Sequence, residues 1–181
     1  MLTRRTFATS LLLPKVCMSQ QTSFGPWSYV TAVDLESKNP GAGVAFRFKA
    51  GSAFADIYFY DSGDSWPEGT DSEKFRSMLQ QVRLELGMAE KAGAFSDLKF
   101  GKADDVVVAG RKFYLLRMTM RRDSTEYVSL MYLSGVRGKL IKFRVTAPEG
   151  TAGLLEEDAN ALIKGAFRQQ NVFQAPWHTN P

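Results

Sequence analysis

The side chains that most often perform catalysis are almost absent from this sequence. Among its 181 residues there is one histidine, His178, and one cysteine, Cys17. His178 lies in NVFQAPWHTNP, a segment with two prolines and no periodicity, whereas a general base needs a rigid pocket close to its substrate. A serine or cysteine nucleophile would therefore lack its activating base, and a zinc site would lack nitrogen and sulfur ligands. We predict no catalytic residue, no metal site and no cofactor.

Acidic side chains are concentrated before the first predicted helix. Their oxygen atoms are suitable ligands for calcium, but the spacing in DSGDSWPEGTD (61–71) lacks acids at positions 3 and 5 of a calcium loop. Aspartates also shape turns, and acids near a helix start favour its positive end. Calcium binding by the loop 61–71 and a structural role therefore both stay open. The acids concerned are Asp61, Asp64, Glu68, Asp71 and Glu73.

Aromatic side chains suggest a second kind of site. In the strand-like segment AFADIYFYD, Tyr58 and Tyr60 should project from the same face as Asp56, opposite Ile57. Trp66 follows in the loop, and large aromatic residues often anchor binding surfaces. We predict a ligand or partner surface formed by Tyr58, Tyr60 and Trp66. The alternative for Trp66 is that it folds back over an edge of the core.

Basic residues in the later strands suggest a third site. In KLIKFRVTA, Lys142 and Arg144 alternate with apolar residues, so they should share one face of a strand. Together with Arg117 they could form a face for an anion or an acidic partner. The alternative is an ordinary solvated surface, and in a meander Arg117 need not lie beside Arg144.

The first residues resemble a twin-arginine export signal, in which Ser or Thr precedes two arginines, any residue and then Phe. Arg4, Arg5 and Phe7 match this pattern in TRRTF, and a short apolar run follows. Small side chains at Cys17 and Ser19 would suit cleavage after Ser19. The resemblance implies a signal peptide at 1–19, the twin-arginine translocase as a partner during export, and a periplasmic location. A first helix with a basic end and a lipoprotein signal are the alternatives.

The net charge argues against nucleic acid as a partner. The chain has 23 Lys and Arg against 19 Asp and Glu, which gives +4. Residues 1–20 contain three of the basic residues and no acid, so the remainder carries +4 − 3 = +1. Binding to a polyanion depends on clustered cations that release counterions. No apolar run approaches the roughly 20 residues needed to span a bilayer, so we predict no membrane span.

The hydrophobic pattern predicts one domain at 27–170, after a lead-in at 20–26 and before a tail at 171–181. Three strands should form a meander, and a helix should follow with Thr70 and Glu73 as a capping box. Two short strands in DLKFGKADDVVVAG, three longer strands and a helix at 151–169 complete the order. Grouped strands and helices favour an α+β fold, with an antiparallel sheet of about six strands flanked by two helices.

This order resembles the PsbP-like family of α/β/α sandwiches over about residues 27–170. The resemblance rests on the VAFRFKAGSAFADIYFY hairpin, the helix near SEKFRSML, the YVSLMYLSGVRGKLIKFRVT hairpin and the closing helix. It implies a role in binding or assembly. We therefore predict an exported, non-catalytic module of the bacterial cell envelope, whose protein or small-molecule partner is unknown. The alternative is a carboxylate-based periplasmic hydrolase without His or Cys in its site.

Overall fold

The computed structural model describes residues 23–37, 41–60 and 65–169, which form one antiparallel sheet with the strand order β1-β2-β3-β4-β8-β7-β6-β5. The predicted leader (1–19) and tail (171–181), with Arg4, Arg5, Phe7 and His178, lie outside these residues. The strands are β1 (Ser23–Phe24), β2 (Trp27–Asp34), β3 (Val44–Ala50), β4 (Ala53–Tyr60), β5 (Ser96–Val108), β6 (Arg111–Arg122), β7 (Thr125–Val136) and β8 (Lys139–Pro148).

The prediction of about six strands is wrong, because the sheet has eight. At one edge the predicted lead-in contributes β1, whose Phe24 is buried against Phe48. At the other edge, the two short strands predicted between 97 and 110 are one strand, β5. Its pairing with β6 shifts register twice, and these irregularities bend the strand without ending it.

Tight turns join the long strands of the second half, as the sequence predicted from AGR, RRDS and GVRG. The β5–β6 and β7–β8 connections each place two successive residues at positive φ, Ala109-Gly110 and Arg137-Gly138. Such turns match the right-handed twist of a hairpin. Strands β5 to β8 are therefore a continuous series of hairpins, and the pairing of β8 with β4 joins them to the first four strands.

Two helices cover opposite faces of the sheet, which confirms the α+β class and the α/β/α layering. They are α1 (Glu73–Lys91) and α2 (Leu155–Arg168), and a 3-10 helix (Glu149–Leu154) precedes α2 where one helix at 151–169 was predicted. The cap of α1 is Ser72, whose Oγ accepts from the Phe75 amide, instead of the predicted Thr70 and Glu73. Thr70 instead donates its hydroxyl to Asp105 at 3.4 Å.

Each face has its own core. The α2 face is aromatic: Trp27 is fully buried there, and its indole nitrogen donates to the Asp158 carbonyl at 2.7 Å. The α1 face is rich in methionine, with Met118 and Met131 packed near Phe75 of α1. In the part of the chain that the structure describes, no helix is long and apolar enough to cross a membrane.

Candidate functional site

The structure brings two of the predicted surfaces together on the α1 face. Strands β4 and β8 pair so that Asp56 stands opposite Arg144 and Tyr58 opposite Lys142. The rings of Tyr58 and Tyr60 stack with centroids 5.8 Å apart and planes 5° apart. The Lys142 ammonium lies 4.2 Å from the Tyr58 centroid and 5.0 Å from that of Tyr60. Tyr58, Tyr60, Lys142 and Arg144 therefore form one cluster.

A buried carboxylate holds one side of this cluster. Asp56 accepts from Arg47 through Nε at 2.8 Å and Nη2 at 3.1 Å, and the Tyr58 hydroxyl donates to it at 3.3 Å. The side chain of Asp56 is 8% exposed, whereas that of Arg47 is 53% exposed. Sequence reasoning missed Arg47 as a site residue. Its signal was the alternation in VAFRFKA, which places a charge between buried aromatic residues.

Arg144 has no such counterion. Its Nε donates to the Ser129 hydroxyl at 3.4 Å and its Nη2 to the Met120 sulfur at 3.5 Å, and it forms no ion pair with any described carboxylate. Burial lowers the pKa of Arg144, the charges of Tyr58 and Asp56 oppose this, and the nearby Arg122 lowers it further. A half-buried cation held only by long bonds to neutral atoms is an unusual arrangement, because removing a charge from water is costly unless it is paired.

Arg144 lines an open cavity of about 390 Å³ on the sheet. Its lining combines three arginines, one acidic residue and several aromatic or apolar residues; the charged ones are Arg47, Asp56, Arg122 and Arg144. All of the described lining residues belong to strands, so the cavity occupies a part of the face that α1 leaves uncovered. Its size falls in the range of about 300–1,000 Å³ that is usual for small-molecule sites.

Arg117 lies elsewhere. It donates from Nη1 to Asp104 and from Nη2 to Glu156, both at 2.9 Å, and Glu156 belongs to α2. Its neighbours in β6, Leu116 and Met118, pack on the α1 face, so alternation directs Arg117 to the other face. The structure therefore does not bring Arg117 to Lys142 and Arg144.

Trp66 also lies outside the cavity. It is 7% exposed, packs in the methionine-rich core, and has the Lys74 ammonium 4.6 Å from its ring centroid. The backbone of Trp66 bridges to Gly138, which draws the loop onto the β7–β8 hairpin. Tyr60 packs against the same core. Trp66 is thus part of the core against which Tyr60 packs.

The described acids of the acidic loop form ion pairs and hydrogen bonds with basic residues of the protein. Lys112 donates to Asp71 at 2.5 Å, while Glu68 accepts from the Arg137 amide at 2.5 Å and from Arg111 at 3.4 Å. Asp61 and Asp64 lie outside the described residues. Within residues 23–37, 41–60 and 65–169, no group of three His, Cys, Asp or Glu is arranged to hold a metal ion.

A second cavity, of about 410 Å³, lies at one end of the sheet and is lined partly by acidic residues. Arg121 lies among them, 3.2 Å from Asp97 and 2.6 Å from Glu126, and Glu149 also lines the cavity. The Arg121 guanidinium holds the pKa of Glu126 below its usual range. A carboxyl group acting as a general acid needs a raised pKa, so this arrangement gives no support to the hydrolase alternative.

Lys142 is expected to make stability depend on pH. Burial, and next the charge of Arg144, lowers the pKa of Lys142 to about 8, although Glu85 and Asp56 oppose this. Below pH 8 the amine is protonated in the folded and unfolded chains, so the cost of burying the charge is fully present. Between pH 8 and 10.5 only the unfolded chain stays protonated, and stability should rise with pH.

We expect Lys142→Met to be more stable than the parent at pH 7, by at most about 3 kcal/mol. The gain should shrink as pH rises from 8 towards 10.5, which urea unfolding at several pH values can measure. Raised tyrosine pKa values lower stability above pH 10 in both proteins, so the difference between them isolates Lys142. The exposed Lys164→Met is the control, and a gain that is constant with pH would contradict the prediction.

Comparisons with known proteins identify the fold. No protein-family model and no curated protein sequence matches this chain. The solution structure of cyanobacterial PsbP (CyanoP) from Synechocystis sp. PCC 6803 is similar, with a TM-score of 0.51 and 14% identity, over 77% of this chain and 80% of that one. A crystal structure of a Pseudomonas aeruginosa protein of unknown function aligns with a TM-score of 0.42 and 15% identity, over 86% and 82%. The likeness to the cyanobacterial PsbP structure shows that the chain has a PsbP-like α+β fold.

Proposed function

We propose that this chain is an exported, non-catalytic module of the bacterial cell envelope, and that it binds a partner or ligand through the cavity beside Arg144. The observation that carries this proposal is the half-buried Arg144, which forms no ion pair with a described carboxylate and lines an open, partly aromatic cavity. Buried cations are normally paired. A site in which an arginine has no ion-pair partner is suited to receive that partner from a bound molecule.

The groups around the cavity are suited to recognition and poorly suited to proton transfer. Asp56 is engaged by Arg47 and Tyr58, and burial raises the pKa of Tyr58 to about 12. Arginines stay protonated at all ordinary pH values. The Lys142 ammonium, whose pKa is closest to neutrality, lies against tyrosine rings and is absent from the cavity lining. These groups therefore offer charge, hydrogen bonds and aromatic surface.

The export part of the proposal rests on the leader. Residues 1–19 would be the signal peptide, Arg4, Arg5 and Phe7 would be read by the twin-arginine translocase, and the mature chain would begin at Gln20 in the periplasm. Removal of the leader would take away the one cysteine and leave a nearly neutral chain. The folded domain would then work without thiol chemistry.

Site-specific photocross-linking tests the binding surface. Tyr127 lines the cavity, so p-benzoylphenylalanine in its place should give adducts when the full-length protein is produced in its bacterium and irradiated. Tyr29 is the matched control, because it is a half-buried tyrosine on the α2 face. Intact-mass measurement detects adducts of small molecules and of proteins alike. Equal labelling at the two positions, or none at Tyr127, would refute the proposed surface.

The same strains test export. The Tyr127-labelled chain should appear in the periplasmic fraction, shortened by its leader. The version that also carries Arg4→Lys and Arg5→Lys should stay in the cytoplasm at full length, because the translocase reads the arginine pair. Periplasmic recovery of that doubly changed chain would rule out the twin-arginine route.

A further inference from the structure

We infer that the cavity over Arg144 binds the oxyanion group, a carboxylate or a phosphate, of a small organic molecule with an apolar body. The inference rests on the proposed function only in placing binding at this cavity. The lining includes three arginines, Arg47, Arg122 and Arg144, and one acidic residue, Asp56, so the described charged lining carries an excess of two positive charges. Guanidinium groups match planar and tetrahedral oxyanions with paired hydrogen bonds.

Asp56 forms no ion pair with Arg144, although the two are directly opposite in register and the charge of Asp56 raises the pKa of Arg144. Both Asp56 oxygens accept from Arg47, and the Tyr58 hydroxyl also donates to Oδ2. Asp56 therefore fixes Arg47 and Tyr58 in place. Arg144 stays available to another anion, and the nearby Arg122 adds a second positive charge on the same side.

The donors of Arg144 are mostly unused. A guanidinium group has five N–H bonds, and the contacts of Arg144 with described residues occupy two of its nitrogens, at 3.4 and 3.5 Å. Ordinary charge-assisted bonds are about 2.7–2.9 Å. An oxyanion entering the cavity would replace these long contacts with short bonds and supply the missing charge.

Hydroxyl groups below Arg144 can assist. Ser129 and Thr146 are almost fully buried and lie 2.8 Å apart, with either able to donate to the other. Thr146 also lines the cavity. Hydroxyl hydrogens rotate to suit their partners, so Thr146 can turn its donor towards an anion while Ser129 keeps its contact with Arg144.

The remaining walls indicate the body of the ligand. Phe54, Tyr58, Met120 and Tyr127 line the cavity beside the guanidinium groups. Aromatic side chains provide large apolar contact areas, and methionine adapts to irregular shapes. A free inorganic ion would leave these walls in water, whereas an aryl or alkyl oxyanion would cover them.

Titration of the full chain with phenyl phosphate, benzoate, inorganic phosphate and the neutral benzamide tests the inference by calorimetry. We expect phenyl phosphate or benzoate to bind more tightly than inorganic phosphate, and benzamide not to bind. The tighter of the first two identifies the oxyanion as phosphate or carboxylate. Tighter binding of inorganic phosphate than of either aryl compound, or binding of benzamide, would overturn the inference.

Matched arginine variants locate the binding. Arg144→Gln should weaken the better aryl oxyanion at least about 10-fold, while Arg117→Gln, on the opposite face, should leave binding unchanged. Arg122→Gln serves as a second cavity variant, because Arg122 is exposed and its replacement should not disturb folding. Equal effects of the Arg122 and Arg117 changes would overturn the inference. A Tyr127 cross-link to a protein without oxyanion binding would refute this inference alone and leave the proposed function standing.

Discussion

Replacing Phe113 by alanine is expected to lower the free energy of unfolding by about 3–5 kcal/mol. Phe113 is completely buried in the α2-face core. Its ring packs edge-on near Tyr132, Phe143 and Phe167, with centroids 6.3, 6.0 and 6.1 Å away. These partners belong to β7, β8 and α2, so the cavity left by alanine would lie where sheet and helix meet and could not easily collapse.

Urea unfolding measures this effect, with two comparison variants. Phe113→Leu should lose much less stability, because leucine fills most of the space. Phe100→Ala should cost little, since Phe100 is 37% exposed on β5. A loss below about 1 kcal/mol in Phe113→Ala would show that this core is not packed as described. Since Phe113 faces away from the Arg144 cavity, Phe113→Leu should keep the ligand affinity of the parent.

Replacing Gly135 by alanine is expected to lower the free energy of unfolding by about 3 kcal/mol. A Cβ atom at Gly135 would lie 1.8 Å from the Pro67 carbonyl oxygen, and a backbone atom cannot move aside as a flexible side chain can. Gly135 also exchanges two backbone hydrogen bonds with Gly69, of 2.9 and 3.0 Å. The substitution should therefore lift the loop that carries Trp66 away from the β7–β8 hairpin.

Gly87→Ala is the matched control for Gly135→Ala. Gly87 lies inside α1, and nothing lies within 4 Å of a Cβ there, so alanine should raise stability by about 0.5–1 kcal/mol. Hydrogen exchange should show faster exchange at the Gly69 amide in Gly135→Ala and no change there in Gly87→Ala. Parent-like stability and exchange in Gly135→Ala would disprove the close approach of the loop to β7.

Local patterns in the sequence were sufficient for most of the elements and for the faces of the strands. Alternation in β4 and β8 predicted that Tyr58 and Tyr60 share a side and that Lys142 and Arg144 share a side, because successive side chains in a strand point to opposite faces. Turn residues predicted where the hairpins reverse. The count of about six strands was wrong, and the strand assignments failed at both edges of the sheet, since the pairing of β1 with β2 and the continuity of β5 through its register shifts depend on contacts across the sheet.

The cluster of Tyr58, Tyr60, Lys142 and Arg144 depended on contacts between residues distant in sequence. The pairing of β4 with β8 placed Tyr58 opposite Lys142, although 83 residues lie between them in the chain. Sequence reasoning assigned these residues to two different surfaces, grouped Arg117 with Lys142 and Arg144, and left out Arg47. Only the register of the sheet shows that Arg117 belongs to the α2 face and that Arg47 holds Asp56.

By itself, then, the sequence determined an α+β chain with few catalytic residue types, a leader that resembles an export signal, and strands with one polar face. The tertiary structure decided which of the charges are neutralised. Arg117 and Arg144 look alike in the sequence, yet Arg117 meets Asp104 and Glu156 while Arg144 meets a hydroxyl and a sulfur. The physical reason is that the environment of a charge is set by neighbours brought together across the sheet, whereas periodicity reports only which way a side chain points.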